Sequence, residues 1–461
     1  MRSSQKGIGI APLTPRLRAA WGREPWHLLL LGVIALATRF TGLGYPATVV
    51  FDEVHWGRYF SSYFTGNYYF DVHPPLGKLI YAGWACLWGF RPGFAFESYA
   101  AYPEDWALVL RILPALIGSL LPLIVYRLAL DFGLRKGCAF LAGFLVAIDG
   151  ALIDISRFVL LDPLLLTFGF GALLAHRHWA RTKAVRWLLL SGGLAGLTFS
   201  IKWTGATFLA LMVLFELSSL WRRREVALGV PLLWRLLGLV LIPATLYILQ
   251  FWLHFSLLDH SGTGDAFMTP AFQATLHESL FAKDPVLEPP DFWGKFLELN
   301  RMMYQANAGM TASHPYSSKW YSWPLMLKPI YLWQGKPLER IYLLGNPVIW
   351  WGSTVAVLTL VQATTYLGAR GLNPSGRWLI LGWLMNFLPF MGIGRVMFIY
   401  HYLSALVFAI LLLAQLVEHA PRSRGIAFAI GLMALGLYGY FSPLTYGIPS
   451  DRSMFWLSSW R

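Results

Sequence analysis

Cysteine is nearly absent from the chain: Cys86 and Cys138 are its only two in 461 residues, and both lie in apolar stretches. Two such residues do not make a disulfide framework, so the fold is held by packing. Charge is also scarce. Asp, Glu, Lys and Arg together make up 13% of the chain, with 23 acids against 37 Lys and Arg. Soluble domains carry roughly 25% charged residues, which excludes a water-facing globule. Internal repeats and low-complexity tracts are missing too, and this argues against a repeat-built transporter.

What the chain has in quantity is hydrophobic (56%) and aromatic (16%), including 22 Trp. Apolar blocks recur at lengths that cross about 30 Å of hydrocarbon as helix. Abundant Trp and Tyr suit the two membrane interfaces. The net charge of +14 raises the question of nucleic acid. No basic, aromatic-interleaved soluble segment exists to carry such a site, so the surplus is read as loop charge and no nucleic-acid partner is expected. The fold class is an all-α polytopic membrane protein in contact with membrane lipids.

Helices are expected near 27–44, 107–130, 137–153, 159–175, 187–200, 204–220, 236–256, 346–365, 378–391, 396–417 and 425–443, about eleven in all. The tail 1–26 carries Arg2, Lys6, Arg16, Arg18 and Arg23, and no small-residue cleavage site follows the first apolar run. The first helix is therefore retained, with a cytoplasmic N-terminus. Even-numbered crossings then return to Arg127, Arg135 and Lys136; to Arg177, Arg181, Lys183 and Arg186; to Arg222, Arg223 and Arg224; to Arg370 and Arg377; and to Arg422 and Arg424. Every return loop is basic, as the positive-inside rule requires. The opposite face receives the long segments 45–106 and 257–345 and a tail, 444–461, and these hold most of the acids and histidines.

The first outer segment contains VVFDEVHWGRYFSSYFTGNYYFDVHPPLGKL, residues 49–79. Neighbours on a helix point about 100° apart, so Asp52 and Glu53 cannot share a face. Their jobs should differ: one accepts a proton, the other orients a partner or a metal. Charges set among Phe51, Trp56, Tyr59 and Phe60 must be partnered. Asp71-Val72-His73-Pro74-Pro75 is a stiff knot suited to opening a helix at Leu76, and 76–90 lies along the interface. Asp52, His55, Asp71 and His73 match no compact metal spacing, so no metal ligand is assigned; a bound divalent cation is the lesser alternative.

DGALIDISRFVLLDP, residues 149–163, forms an outer turn in this topology. Arg157 there either grips a phosphate bidentately or fixes the turn through Asp154 or Asp162. Lys202, in SIKWTG, either snorkels or adds a second positive charge for an anionic headgroup.

These strings are followed in order by HFSLLDHSGTGDAFMTPAFQ (254–273), HPYSSKWYSWPLM (314–326), LLGNPVIWW (343–351), MNFLPF (385–390), RVMFIYHYL (395–403) and FSPLTYGIP (441–449). From about residue 38 to 449 the set resembles the protein O-mannosyltransferases, the dolichyl-phosphate-mannose-protein mannosyltransferase family, and more specifically its bacterial members. The resemblance implies a GT-C glycosyltransferase fold with eleven helices, a catalytic domain over 27–443 and two long extracytoplasmic loops. It implies a bacterial plasma membrane, a cytoplasmic N-terminus and an active site on the extracytoplasmic face. The implied reaction moves mannose, with inversion, from a polyprenyl-phosphate-mannose donor to Ser or Thr hydroxyls of polypeptides exported by the secretion channel.

In that reading Asp52 is the base with Glu53 beside it, and Arg157 meets the donor phosphate, assisted by Lys202 and Arg395. His55, Asp71, His73, Asp162, His314, Lys319, Trp323, His401 and Tyr402 are the expected substrate contacts. No cofactor is required, because a phosphate leaving group needs positive charge rather than a metal. The segment 257–345 has no room for the β-trefoil MIR domain of eukaryotic members. Two rivals stay open: a polyprenyl-phosphate-sugar transferase acting on a lipid or glycan, and a lipid or solute transporter.

Overall fold

A computed structural model describes residues 25–223, 230–310, 313–367 and 374–460. Nearly all of the 1–26 tail, together with Arg224 and Arg370 of the return loops, lies outside the described residues. The described residues are predominantly helical. It begins with α1 (Pro25–Phe40), and the first outer segment carries α2 (Glu53–Thr65) and α3 (Leu76–Leu87). The bundle continues through α4 (Trp106–Asp131), α5 (Lys136–Ile148), α6 (Gly150–Arg157), α7 (Asp162–Thr182), α8 (Val185–Ile201) and α9 (Ala206–Arg223). Next, α10 (Val230–Leu236) runs through a π-turn at Leu237–Leu241 into α11 (Ile242–Leu257).

The second outer segment holds α12 (Pro270–Gln273), α13 (Phe292–Gly309) and a two-stranded antiparallel sheet, β1 (Ile330–Gln334) with β2 (Arg340–Leu343). Four helices close the chain: α14 (Pro347–Leu367), α15 (Pro374–Phe387), α16 (Leu403–His419) and α17 (Ser423–Tyr446). The tail after α17 is tied down rather than free. Trp460 is buried and donates to the carbonyl of Met326.

All eleven expected segments fall on helix, but length and apolarity by themselves mark fewer of them as crossings. Six helices are long and apolar enough to cross a membrane, or seven if the bent pair α5–α6 is one span. The helices α1 and α8 are apolar but short, and α7 carries Asp162, His176, Arg177, His178 and Arg181 along its length. The bend between α5 and α6 is 53° and has a local cause. Asp149 leaves the helical region (φ −72°, ψ 124°) and caps α6 by accepting from the Leu152 amide. Its other oxygen accepts from the Asn346 amide and the Trp350 indole, which ties the bend to the start of α14.

Side-chain polarity sorts the helices by depth. The LSALVFAILLLAQLV run of α16 is apolar on nearly every face and is almost wholly buried. By contrast, α17 is peripheral and turns Phe428, Leu432 and Met433 outward, where only hydrocarbon suits them. One close helix approach is at Gly192 of α8 and Gly238 of the π-turn. A Cβ on Gly192 would stand 1.6 Å from the Gly238 carbonyl oxygen, so any side chain there would push the two elements apart.

Three of the basic loops meet at one end of this bundle. Arg135 pairs with Glu418 and donates to Ser423, and Arg181 pairs with Asp131. The acids and histidines of the first outer segment gather at the other end.

Candidate active site

The DE pair shows how two adjacent carboxylates are separated. Asp52 is the N-cap residue of α2, but its side chain accepts no capping hydrogen bond and stays partly open. Glu53, one residue on, is fully buried. Its oxygens accept from Arg111 Nε (2.9 Å) and Nη2 (2.8 Å), from the Val50 and Val159 amides (2.9 and 3.0 Å) and from the Tyr102 hydroxyl (3.3 Å). Arg111 also donates to the carbonyls of Pro46 and Thr48 and lies over the Phe158 ring. No lone pair of Glu53 is left for a substrate. Its expected catalytic role is corrected to a positioning one: Glu53 and Arg111 pin the loop that carries Asp52. Arg111 was missed in the sequence, although a lone arginine in ALVLRILPALIG is costly in hydrocarbon unless it has a dedicated partner.

The DVHPP knot is held from below. Lys78 Nζ donates to Asp71 Oδ2 (2.5 Å) and to the carbonyls of His73 and Pro74 (2.7 and 2.8 Å). Asp71 is thus a strut, and its strong pairing leaves His73 to face a cavity. Burial first, and then Lys202, Lys78, Arg395 and His401, hold the His73 imidazole well below its usual value, so it is neutral.

That cavity has a volume of about 520 Å³, within the usual range for small-ligand sites. One side is polar, with His73, Asp162, Lys202, Asn307, Asn386, Arg395, Tyr400 and His401. Leu165, Leu166, Met385, Pro389 and Phe390 supply apolar lining, so the cavity is amphipathic. Lys202 ends α8 and reaches both oxygens of Asp162 at 2.9 Å, with its ammonium 5.2 Å from the Tyr400 ring centre. Arg395 lines the same wall and donates no hydrogen bond among the described residues; burial lowers its pKa.

Asp52 senses this wall. Burial pushes its carboxyl up to about 7, Lys202 pulls it back, and Asp162 and Asp71 raise it further.

The remaining expected site residues separate. His401 lines the cavity and stacks on the buried Trp323 (centres 5.9 Å apart), so Trp323 supports a wall instead of being one. Tyr402 turns away from the cavity, accepts from the Trp383 indole and packs in the core. His55 is exposed and stacks on Tyr59; Lys319 is exposed; His314 packs edge-on to Phe398. None of these three lines the cavity. Tyr400, Asn307 and Asn386 do, and were missed: an apolar or amide residue carries no charge to draw attention in sequence.

Arg157 needs the clearest correction. It is buried, and its guanidinium donates to the carbonyls of Arg39 (3.0 Å), Thr41 (2.6 Å) and Gly42 (2.9 Å), with its face 4.7 Å from the Tyr446 ring. These carbonyls end α1, so Arg157 is a helix C-terminal tie and is not among the cavity residues. Arg157→Ala should therefore lower stability by about 3 kcal/mol or more while donor KM is unchanged. Apparent melting temperature and donor KM, measured on the same preparation, check this.

Comparison with known proteins follows the same geography. Residues 29–259 match the dolichyl-phosphate-mannose-protein mannosyltransferase family, and 292–461 match the C-terminal four TMM region of protein-O-mannosyltransferase. The chain belongs to the dolichyl-phosphate-mannose-protein mannosyltransferase family. Among its relatives, "Protein O-mannosyltransferase 1" of Drosophila pseudoobscura pseudoobscura is 39% identical over 270 residues, which is 55% of this chain and 29% of the fly protein. "Dolichyl-phosphate-mannose--protein mannosyltransferase 1" of Candida albicans is 23% identical over 96% of this chain and 78% of its own length. The chain therefore spans under a third of the fly relative.

The Saccharomyces cerevisiae protein O-mannosyltransferase Pmt1-Pmt2 complex bound to the sugar donor has the same fold. Its TM-score is 0.86 at 20% identity, covering 97% of this chain and 93% of that one. The matched relatives come from flies, fungi and fish. They overturn the placement among bacterial members and, with it, the bacterial plasma membrane; the multi-pass character of this mannosyltransferase-family chain stands.

Proposed function

We propose that this chain transfers mannose, with inversion, from a polyprenyl-phosphate-mannose donor to Ser or Thr hydroxyls of polypeptides emerging from the secretion channel. The observation that carries the reading is the amphipathic cavity, with Lys202 and Arg395 on its polar wall and the raised carboxyl of Asp52 beside it. Its apolar side suits isoprenoid and its cationic side suits phosphate. The family's yeast complex was solved bound to its sugar donor, which supports a donor of that kind here. Eleven crossings, with α7 and the short α1, α8 and α15 completing the count, are part of the proposal, as are an outward-facing site and a transmembrane catalytic unit over 27–443 flanked by the outer loops. Between 257 and 345 the described residues carry helices of up to 18 residues and one two-stranded sheet, which supports a chain without a β-trefoil insertion.

The mechanism follows from which carboxylates are free. A Ser or Thr hydroxyl is a weak nucleophile and needs a base within about 3 Å. Glu53 is saturated, Asp71 is held by Lys78 and Asp162 by Lys202. Asp52 alone in this cluster lacks a hydrogen-bond donor among the described residues. One free carboxylate supports direct displacement, with the acceptor oxygen entering opposite the phosphate; a retaining route needs a second carboxylate as nucleophile. As the C–O bond to phosphate breaks, charge grows on the leaving oxygen. Lys202 and Arg395 are the cations on that wall to meet it. The donor phosphate competes with Asp162 for Lys202, and this coupling sets the position of both.

Radiolabelled polyprenyl-phosphate-mannose with a Ser/Thr-rich peptide tests the reading. Lys202→Gln and Arg395→Gln should each cut transfer by roughly 10²–10³-fold and weaken donor binding. Lys202→Gln also leaves Asp162 facing the phosphate unneutralised, so it should be the worse of the two. EDTA should leave the rate unchanged. Label on membrane lipid or glycan instead of peptide would move the acceptor; no donor consumption at all would sink the transferase reading.

A further inference from the structure

A second cavity, of about 770 Å³, opens at the opposite end of the bundle, between α5 and α17. Phe140 and Phe144 form one wall, Phe428 and Leu432 the other. Phe428 and Leu432 are largely exposed, a state that needs hydrocarbon around them. At its mouth stand Arg135, Lys136, Arg181 and Arg424, and an adjoining recess adds Arg422. Among the described residues Asp131 pairs with Arg181 and Glu418 with Arg135, while Arg422 and Arg424 have no carboxylate partner. The mouth is therefore net positive, directly above an apolar groove.

We propose that this groove holds an anionic diacyl phospholipid of the cytoplasmic leaflet, with its phosphate at the arginines and its acyl chains along α5 and α17. Charge complementarity selects the headgroup: basic pockets between helices on the cytoplasmic side recruit anionic lipid. Position selects the lipid. The mouth lies among the basic return loops, at the end of the bundle away from Asp52 and Lys202, so a headgroup here belongs to the other leaflet from the sugar donor. The groove thus shares the topology argued above but none of the reaction machinery. It gives the peripheral α17 a resident partner on a face that the other described residues leave exposed.

The test is native mass spectrometry of the full chain in detergent, offered equal phosphatidylglycerol and phosphatidylcholine. Wild type should retain one phosphatidylglycerol in preference to phosphatidylcholine by roughly tenfold or more. Arg424→Glu changes the mouth by two charges and should bring the ratio close to one. Gly431→Phe should reduce retention of both lipids, because a Cβ there meets nothing closer than 3.8 Å and the ring has only the groove to enter. Arg424 is exposed, so both variants should fold, which an unchanged melting temperature verifies. Equal retention of the two lipids by wild type, or a preference that survives both variants, overturns the proposal. Displacement of phosphatidylglycerol by added polyprenyl phosphate would overturn it as well, by giving the groove to the carrier lipid.

Discussion

Asp52→Asn should reduce transfer by about 10²–10⁴-fold while donor lipid still binds, because the substitution removes a proton acceptor and leaves its shape. The pH dependence gives a second handle on the same residue. Burial holds the Asp52 carboxyl up at about 7, and a base works only when deprotonated. In wild type, kcat/KM should climb with pH up to about 7 and level off above it, and Asp52→Asn should lose this limb along with the rate. Stability moves the opposite way. A native pKa above the unfolded value of 3.8 means that the folded chain binds more protons between about 4 and 7, so ionising Asp52 costs stability as pH rises through that window. The asparagine variant should therefore gain in apparent melting temperature relative to wild type as pH rises from 4 to 7, and keep that gain at pH 8. A variant that is both inactive and less stable at pH 8 would assign Asp52 a structural role.

Arg111→Ala should be the most destabilising single change at the site, by about 3–5 kcal/mol, because it strands the buried Glu53 carboxylate. It also frees the Pro46 and Thr48 carbonyls that Arg111 holds at 2.7 and 2.9 Å. Glu53→Gln leaves the guanidinium facing an amide, so it too should lose stability. The double change, Glu53→Gln with Arg111→Met, removes both charges and should recover part of the loss, the coupling that a double-mutant cycle reads. Turnover per folded molecule separates positioning from chemistry. If Glu53 only holds the Asp52 loop, Glu53→Gln keeps measurable turnover with a weakened melting temperature. Turnover abolished at full stability would return Glu53 to the reaction itself.

The two predictions rest on one contrast that sequence could state but not resolve. Adjacent residues on a helix diverge by about 100°, so different fates for Asp52 and Glu53 follow from their spacing alone. Which of them faces substrate depends on Arg111, 58 residues away, crossing to Glu53. Arg157 illustrates the reverse case. The family resemblance implies a phosphate role for it and its chemistry leaves a turn-fixing role equally open, yet the open carbonyls at the end of α1 claim it. A sequence offers no way to rank a phosphate against three carbonyls, since both reward the same guanidinium fork. Lys202 and Arg395 line one cavity, although nothing in their spacing brings residues 193 positions apart together.

Composition and periodicity were enough to determine that this is an all-α membrane chain with basic loops gathered on one side and acids and histidines on the other. Those properties are averages over many residues, and the low dielectric of a bilayer enforces them wherever the helices pack. The tertiary structure alone decided which charges are spent on one another and which remain for a substrate. Buried ions are satisfied pair by pair across the fold, and the chain order does not record the pairing.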